Sequence, residues 1–220
     1  SVGMGGGSKG GRKLKAGQTG GRTGGGGTEK PVGKPMEFEN LLAAGWRMGS
    51  GSMNVMDKED CMVSIAKYYL EFTVEESCGK CAPCRVGNKR LHEILTKISD
   101  GKGTRDDLEY LKNLSTVIKD TSLCGLGQTS PNPVLSTLEH FWDEYEAHVT
   151  MRVCPAGQCK ALRVYSIEPD KCTGCTACTR SCPVDAIIGE KRQPHVIDGD
   201  KCIRCGACFD KCKFNAINVQ

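Results

Sequence analysis

Cys172-Thr173-Gly174-Cys175-Thr176-Ala177-Cys178-Thr179-Arg180-Ser181-Cys182-Pro183 returns thirty residues later as Cys202-Ile203-Arg204-Cys205-Gly206-Ala207-Cys208-Phe209-Asp210-Lys211-Cys212-Lys213. The repeat runs from Asp170 to Ile187 and from Asp200 to Ile217, and both copies end in Ala-Ile. Three cysteines at two-residue spacing, then a fourth after three residues, suit a [4Fe–4S] cubane. The short spacers wrap three thiolates around one face and turn backbone amides toward the sulfides. Residues 168–220 hold too few apolar side chains for an ordinary core, so metal must hold the segment together. A pair of zinc sites is the competing reading, but zinc favours two Cys-x2-Cys pairs over this spacing.

The first run, with its proline, is that of bacterial two-cluster ferredoxins; the second carries Lys213 at the proline position. In that arrangement the fourth cysteine starts a helix that carries it to the other cluster. Cys172, Cys175, Cys178 and Cys212 are therefore expected on one [4Fe–4S], and Cys202, Cys205, Cys208 and Cys182 on the other.

The 220 residues include 15 cysteines and 28 glycines, with 38% apolar and 5% aromatic residues. An odd cysteine count excludes a fully paired disulfide framework. No run of 18 apolar residues suggests a membrane span, and the first residues lack the apolar stretch of a signal peptide. A reducing, cytoplasmic setting is expected, where clustered cysteines bind metal. The net charge of +4 is unevenly spread, because residues 1–34 hold seven Lys/Arg against one Glu. The rest is mildly acidic, which argues against a nucleic-acid partner.

Four segments are expected. Residues 1–35 are glycine-rich and read by themselves as a flexible linker. Gly5-Gly6-Gly7-Ser8-Lys9-Gly10 matches G-x-G-x-x-G, but neither strand nor apolar helix flanks it. Residues 36–150 read as helical. Phe38, Leu41 and Leu42 start a short helix stopping at Gly45, and Met53–Met56 suggest a strand. Met62, Ile65, Ala66 and Tyr69 lie on one helix face, as do Leu91, Ile94, Leu95 and Ile98. Leu108, Leu111, Leu114 and Ile118 mark a third helix. Val134, Leu138, Phe141, Trp142 and Tyr145 mark a fourth, begun at Ser130-Pro131-Asn132-Pro133. Residues 151–167 form a connector, and 168–220 the cluster-binding repeat. The fold class is α+β: a four-helix [4Fe–4S] domain followed by a two-[4Fe–4S] ferredoxin-like domain.

A further constellation is Glu76-Ser77-Cys78-Gly79-Lys80-Cys81-Ala82-Pro83-Cys84-Arg85-Val86-Gly87, a cubane site one ligand short. Cys124, in Leu123-Cys124-Gly125-Leu126-Gly127-Gln128, competes for that place with Cys61, Cys154 and Cys159. Gly125 and Gly127 would let backbone approach a cluster. Lys80 and Arg85 are either solvated charges or cations that offset the thiolates and raise the cluster potential.

These two stretches, through Pro133-Val134, resemble the flavoprotein subunit of NADH dehydrogenases. That family contains the NADH-binding subunit of respiratory complex I and the beta subunits of NAD-linked and electron-bifurcating [FeFe]-hydrogenases. It also includes subunits of some formate dehydrogenases. The fused two-cluster tail, with Cys154-Pro155-Ala156-Gly157-Gln158-Cys159 before it, is more similar to the hydrogenase beta subunits. The resemblance implies a four-helix domain whose [4Fe–4S] cluster, held by Cys78, Cys81, Cys84 and Cys124, takes electrons from FMN. Residues 45–63 are similar to the family's connector, and residues 4–27 to the last part of a ubiquitin-like domain. On that reading residues 1–35 are a remnant of such a domain. The family's FMN- and NADH-binding region has no counterpart here, so the chain is expected to be a fragment or a short subunit.

Cys61, Cys154 and Cys159 remain, with His148 six residues before Cys154. A Cys3His zinc site is chemically apt and would pin the ferredoxin tail to the helices or give it a pivot. His195 is the alternative fourth ligand. The bland reading makes Cys61 a buried small hydrophobe and the other two idle thiols.

Three [4Fe–4S] clusters and one zinc imply an iron–sulfur electron conduit with no catalytic residue and no FMN or NAD site of its own. Implied partners are a flavin- and NADH-binding region, a thioredoxin-like [2Fe–2S] subunit and a hydrogenase-type or formate-dehydrogenase-type catalytic subunit. Soluble ferredoxin is a further candidate. The alternatives are the same relay in a formate dehydrogenase or NADH dehydrogenase complex, a free ferredoxin-like carrier, or a non-redox zinc-binding structural module.

Overall fold

The computed structural model describes residues 11–28, 37, 39–40 and 52–219. Of the expected helix ending at Gly45 only residues 39–40 are among them, and both are helical; the Gly5–Gly10 motif lies outside.

The glycine-rich start is not a linker over its described part. Strands β1 (Leu14–Thr19), β2 (Gly26–Gly27) and β3 (Met53–Asp57) form an antiparallel sheet of order β2-β1-β3. The glycines permit the pairing: a Cβ on Gly24 would stand 1.9 Å from the Thr19 carbonyl oxygen, so no other residue closes this turn. Gln18, buried on β1, donates to the Gly24 carbonyl at 3.2 Å and accepts from Asn54 at 3.3 Å. Arg22 lies 4.6 Å from the Phe72 ring centroid and 5.3 Å from that of Tyr68, which ties the sheet to the first helix.

Three long helices follow the expected stripes: α1 (Met62–Glu75), α2 (Asn88–Ser99) and α3 (Arg105–Thr121). α1 packs on α2, and α2 on α3. Thr104 starts α3 with a reciprocal capping box to Asp107, whose carboxylate also pairs with Lys97 at 2.7 Å. Leu70, Leu91, Leu95, Ile98, Leu111 and Ile118 are fully buried at the centre.

The fourth expected helix is broken. A short α4 (Gly125–Thr129) precedes α5 (Asn132–His140), which stops at Phe141 with φ −133° and ψ 36°. α6 (Trp142–Glu146) then restarts and widens into a π-helical turn, Ala147–Met151, ended by Arg152 in the left-handed region. Tyr145 is fully buried, and its hydroxyl pairs with Thr137 at 2.8 Å, which satisfies the one polar atom it brings inside.

The repeat region is built on short elements: β4 (Tyr165–Ile167), α7 (Ala177–Ser181), β5 (Ile187–Ile188), β6 (Val196–Ile197), α8 (Ala207–Lys211) and β7 (Ile217–Val219). β4 pairs with β7 and β5 with β6, both antiparallel. The thirty-residue symmetry reaches the backbone: Gly174 and Arg204, Thr176 and Gly206, and Asp185 and Asn215 all have positive φ. One expectation fails here. Cys182 and Cys212 do not start helices; they close α7 and α8 as extended C-caps. The left-handed residues Thr176 and Gly206 begin the helices earlier, so the third cysteine of each run is helical and the fourth is at the exit. Among the described residues no helix is long and apolar enough to cross a membrane.

Candidate metal centres

Cys61, His148, Cys154 and Cys159 are all buried, and their four ligand atoms lie within 4.8 Å of one another. The sequence brings them from three places. Cys61 is the N-cap of α1 and makes no side-chain cap hydrogen bond, so its sulfur is available. His148 lies in the π-helical turn that ends α6, and its Nδ1 donates to the Glu144 carbonyl at 2.6 Å, which turns Nε2 toward the sulfurs. Cys154 and Cys159 flank a turn in which Gly157 donates to the Cys154 carbonyl at 2.9 Å.

The spacing can be tested against a metal. A tetrahedral zinc with Zn–S of about 2.3 Å separates two sulfurs by about 3.8 Å, and a sulfur from a nitrogen by about 3.5 Å. The Cys61 and Cys159 sulfurs are 3.8 Å apart, and each is 3.4 Å from His148 Nε2. The donor set fits. Its proton chemistry agrees: burial pushes the His148 imidazolium down, but hydrogen bonds to the Cys154 and Cys61 sulfurs outweigh this and raise its pKa to about 10. Hydrogen bonds from Cys159 and Cys61 hold the Cys154 thiol well below its usual range, while Cys159 is pushed up. The four groups favour a thiolate beside a cation, and metal binding releases the protons they share. His195 is not part of this set.

The second constellation forms a turn. Pro83–Gly87 makes a π-helical turn leading directly into α2. The Cys81 thiol is lowered, chiefly by the Leu123 backbone N–H, which sets the Cys124 segment against the Cys78–Cys84 turn. A Cβ on Gly127 would come within 3.1 Å of Cys84 Cβ, so this glycine allows the close approach; Gly125 faces open space. Arg85 donates to the Gly79 carbonyl at 2.7 Å and helps to lower Cys81, while Lys80 is exposed. Sequence reasoning missed Asn88 and Ser77. Asn88 donates to the Cys84 sulfur at 3.4 Å and accepts from Ser130 at 2.9 Å. Ser77 Oγ lies 3.4 Å from the same sulfur. The one signal was the i,i+4 spacing of Cys84 and Asn88 on a helix.

In the repeat region Cys172, Cys175, Cys178 and Cys212 line one small pocket. Three of these cysteines come from the first copy and one from the second. Ala216 N–H donates to Cys212 Sγ at 3.4 Å, and the symmetry-related Ala186 N–H to Cys182 Sγ at 3.3 Å. Burial raises the Cys178 and Cys208 thiols, and the charges of neighbouring Cys172, and of Cys202 and Cys205, add to it. Bound iron offsets this cost by supplying the positive charge. His195 is 1% exposed and lines the same cavity as Cys172 and Cys212. The donor set of thiolates and inward amides is that of a [4Fe–4S] cluster.

Comparison with known proteins matches both regions. Residues 64–148 match the NADH-ubiquinone oxidoreductase-F iron–sulfur binding region, and residues 164–213 the 4Fe-4S dicluster domain. The NADP-reducing hydrogenase subunit HndC of Solidesulfovibrio fructosivorans is 58% identical over 192 residues, 87% of this chain and 39% of that protein. The F-type subunit of NADH-quinone oxidoreductase from Streptomyces coelicolor is 36% identical over 158 residues, 72% of this chain and 35% of that protein. The chain thus spans well under half the length of either. An NAD+-reducing [NiFe]-hydrogenase crystallised in the H2-reduced state aligns with a TM-score of 0.57 and 31% identity, covering 63% of this chain and 24% of that one. Residues 64–148 are therefore an iron–sulfur binding region of the NADH-ubiquinone oxidoreductase-F type, residues 164–213 are a 4Fe-4S dicluster domain, and the chain is a homologue of hydrogenase and NADH-quinone oxidoreductase subunits.

Proposed function

We propose that the chain is an iron–sulfur electron conduit in an NAD(P)-linked hydrogenase or a related complex. Its clusters supply one-electron carriage between a flavin and a distant redox partner. Cys78, Cys81, Cys84 and Cys124 hold the cluster that meets the flavin; Leu123, exposed beside Cys124, marks this as an outward-facing edge. Cys172, Cys175, Cys178 and Cys212 hold the second cluster, and Cys202, Cys205, Cys208 and Cys182 the third. The carrying observation is the single cavity lined by four cysteines drawn from both copies of the repeat. The chain's own residues position the thiolates, donate N–H groups to sulfur and exclude water from the buried ligands.

The domain division follows from these sites: residues 1–35 as the end of a ubiquitin-like domain, 36–150 as a four-helix cluster domain, 151–167 as a connector, and 168–220 as the ferredoxin-like domain. Zinc at Cys61, His148, Cys154 and Cys159 joins the connector to the helices, and the match of 3.4 and 3.8 Å separations to a tetrahedron supports it. The ferredoxin domain then turns about this anchor. Leu162 is buried in the helical core and Tyr165 in the ferredoxin core, which confines a hinge to Arg163 and Val164. FMN and NAD belong to a flavin-bearing partner region. A thioredoxin-like [2Fe–2S] subunit and a hydrogenase-type catalytic subunit complete the path.

The test is iron, zinc and acid-labile sulfide per chain on anaerobically purified protein. About twelve iron, twelve sulfide and one zinc are expected. Twelve iron without zinc removes the anchor, and zinc without sulfide overturns the conduit.

A further inference from the structure

His195 is 1% exposed, and among the described residues neither of its ring nitrogens has a hydrogen-bond partner. A buried imidazole without partners is costly, and folded proteins seldom retain one without use. Its surroundings say what the partner is. The ring lines the pocket formed with Cys172, Cys175, Cys178 and Cys212, whose wall also includes apolar Ile167 and Phe214. Gly189 holds the ring from behind, since a Cβ there would come within 2.7 Å of the His195 ring.

The thirty-residue repeat sharpens the point. It places His195 on Tyr165 and Val196-Ile197 on Ser166-Ile167. The Tyr165 hydroxyl lies over Gly206, between Cys205 and Ala207, where an added Cβ would be 2.9 Å away. Each copy thus sends one ring across to the cysteine run of the other copy. One run meets an imidazole with no protein partner and the other meets a tyrosine.

We propose that His195 donates an N–H hydrogen bond to the cluster held by Cys172, Cys175, Cys178 and Cys212, and raises its potential above that of its repeat-related twin. A donor aimed at cluster sulfur favours the reduced state, which carries one more negative charge. The apolar lining around the buried ring strengthens the bond. His195 is then a positioning residue for electrons: of two clusters with equivalent ligands, the one beside it fills first. This rests on the ligand assignment proposed above.

The test uses the full chain with its clusters, labelled with 15N only at histidine. Electron-nuclear double resonance on the reduced protein is expected to detect a weak histidine nitrogen coupling on one ferredoxin-domain cluster. In His195→Phe that coupling disappears and the midpoint of the same cluster falls, while the other midpoints stay and iron content is unchanged. His195→Met, which also lacks an N–H or O–H donor, gives the same downward shift and guards against a folding failure. His195→Gln, which keeps an N–H donor, restores part of it. Unchanged midpoints in His195→Phe and His195→Met at full iron content overturn the proposal and leave the ligand assignment standing. A strong, directly bonded nitrogen coupling also overturns it, by making His195 a ligand. Wild-type protein lacking the two ferredoxin-domain signals overturns the assignment and the proposal together.

Discussion

Removing zinc should unfasten the helical region from its C-terminal side. Cys61 caps α1, His148 lies in the turn after α6, and Cys154 and Cys159 flank a turn of the connector, so an ion held there would tie three segments. Ligand binding to the folded state alone stabilises it by RT ln(1 + [L]/Kd). A site saturated a thousandfold above its Kd contributes about 4 kcal/mol, well inside the range of structural zinc sites. For a chain of this size about 1 kcal/mol moves the midpoint by about 2–4 °C, so the expected loss is about 8–16 °C. The assay is an anaerobic melt followed by far-ultraviolet circular dichroism, with zinc and iron measured on each sample. Chelated wild type and Cys154→Ser should melt early and alike, with iron retained. Cobalt in place of zinc should give the visible bands of a tetrahedral thiolate site, weakened in His148→Ala. Zinc-free protein that melts within about 2 °C of the zinc-bound form, or cobalt bound without those bands, would refute the reasoning.

Asn88→Ala removes the N–H donated to Cys84 Sγ and one of the two acceptors of the Ser130 hydroxyl, which keeps the Gly127 carbonyl. The midpoint of that cluster should fall by on the order of 20–60 mV, a difference of about 0.5–1.4 kcal/mol between its redox states, read by potentiometric titration. An unchanged midpoint would show that the amide serves packing alone. Thr104→Ala breaks the capping box of α3 and should cost about 1 kcal/mol in the melt, whereas Lys97→Ala, with its side chain 44% exposed, should cost less. Gly24→Ala drives a methyl into the Thr19 carbonyl and should cost about 1–3 kcal/mol with loss of β1–β2 pairing. Gly199→Ala, which meets nothing within 4 Å, is the control.

The cysteine runs were legible because metal coordination is a local demand: two-residue spacers must wrap a cubane wherever the chain goes. The repeat was legible for the same reason, down to shared left-handed positions at Gly174 and Arg204. The role of His195 was not. Read in its own loop it is no more than a spare zinc ligand. Only superposing the copies puts it on Tyr165, and only the folded chain shows that the ring crosses to the other run. The glycine-rich start misled for a related reason. Its partner β3 lies more than thirty residues away, so nothing local distinguishes Gly17, which pairs with Val55, from linker glycine.

The fourth helix carries the most instructive error. Val134, Leu138, Phe141, Trp142 and Tyr145 fit one helical stripe, yet the stripe serves two cores. Val134, Leu138 and Tyr145 join the main core, while Phe141 packs with Ala16, Met56 and Met62 against the N-terminal sheet, and Trp142 stays 42% exposed. No straight helix can present one face to both, so the chain breaks at Phe141 and restarts. The restart places Glu144 where Lys15 pairs with its carboxylate at 2.6 Å and its carbonyl accepts from His148 Nδ1. Periodicity counts apolar residues and does not say which core claims each. Here the divided claim breaks the helix, and the break aims His148 at the three sulfurs.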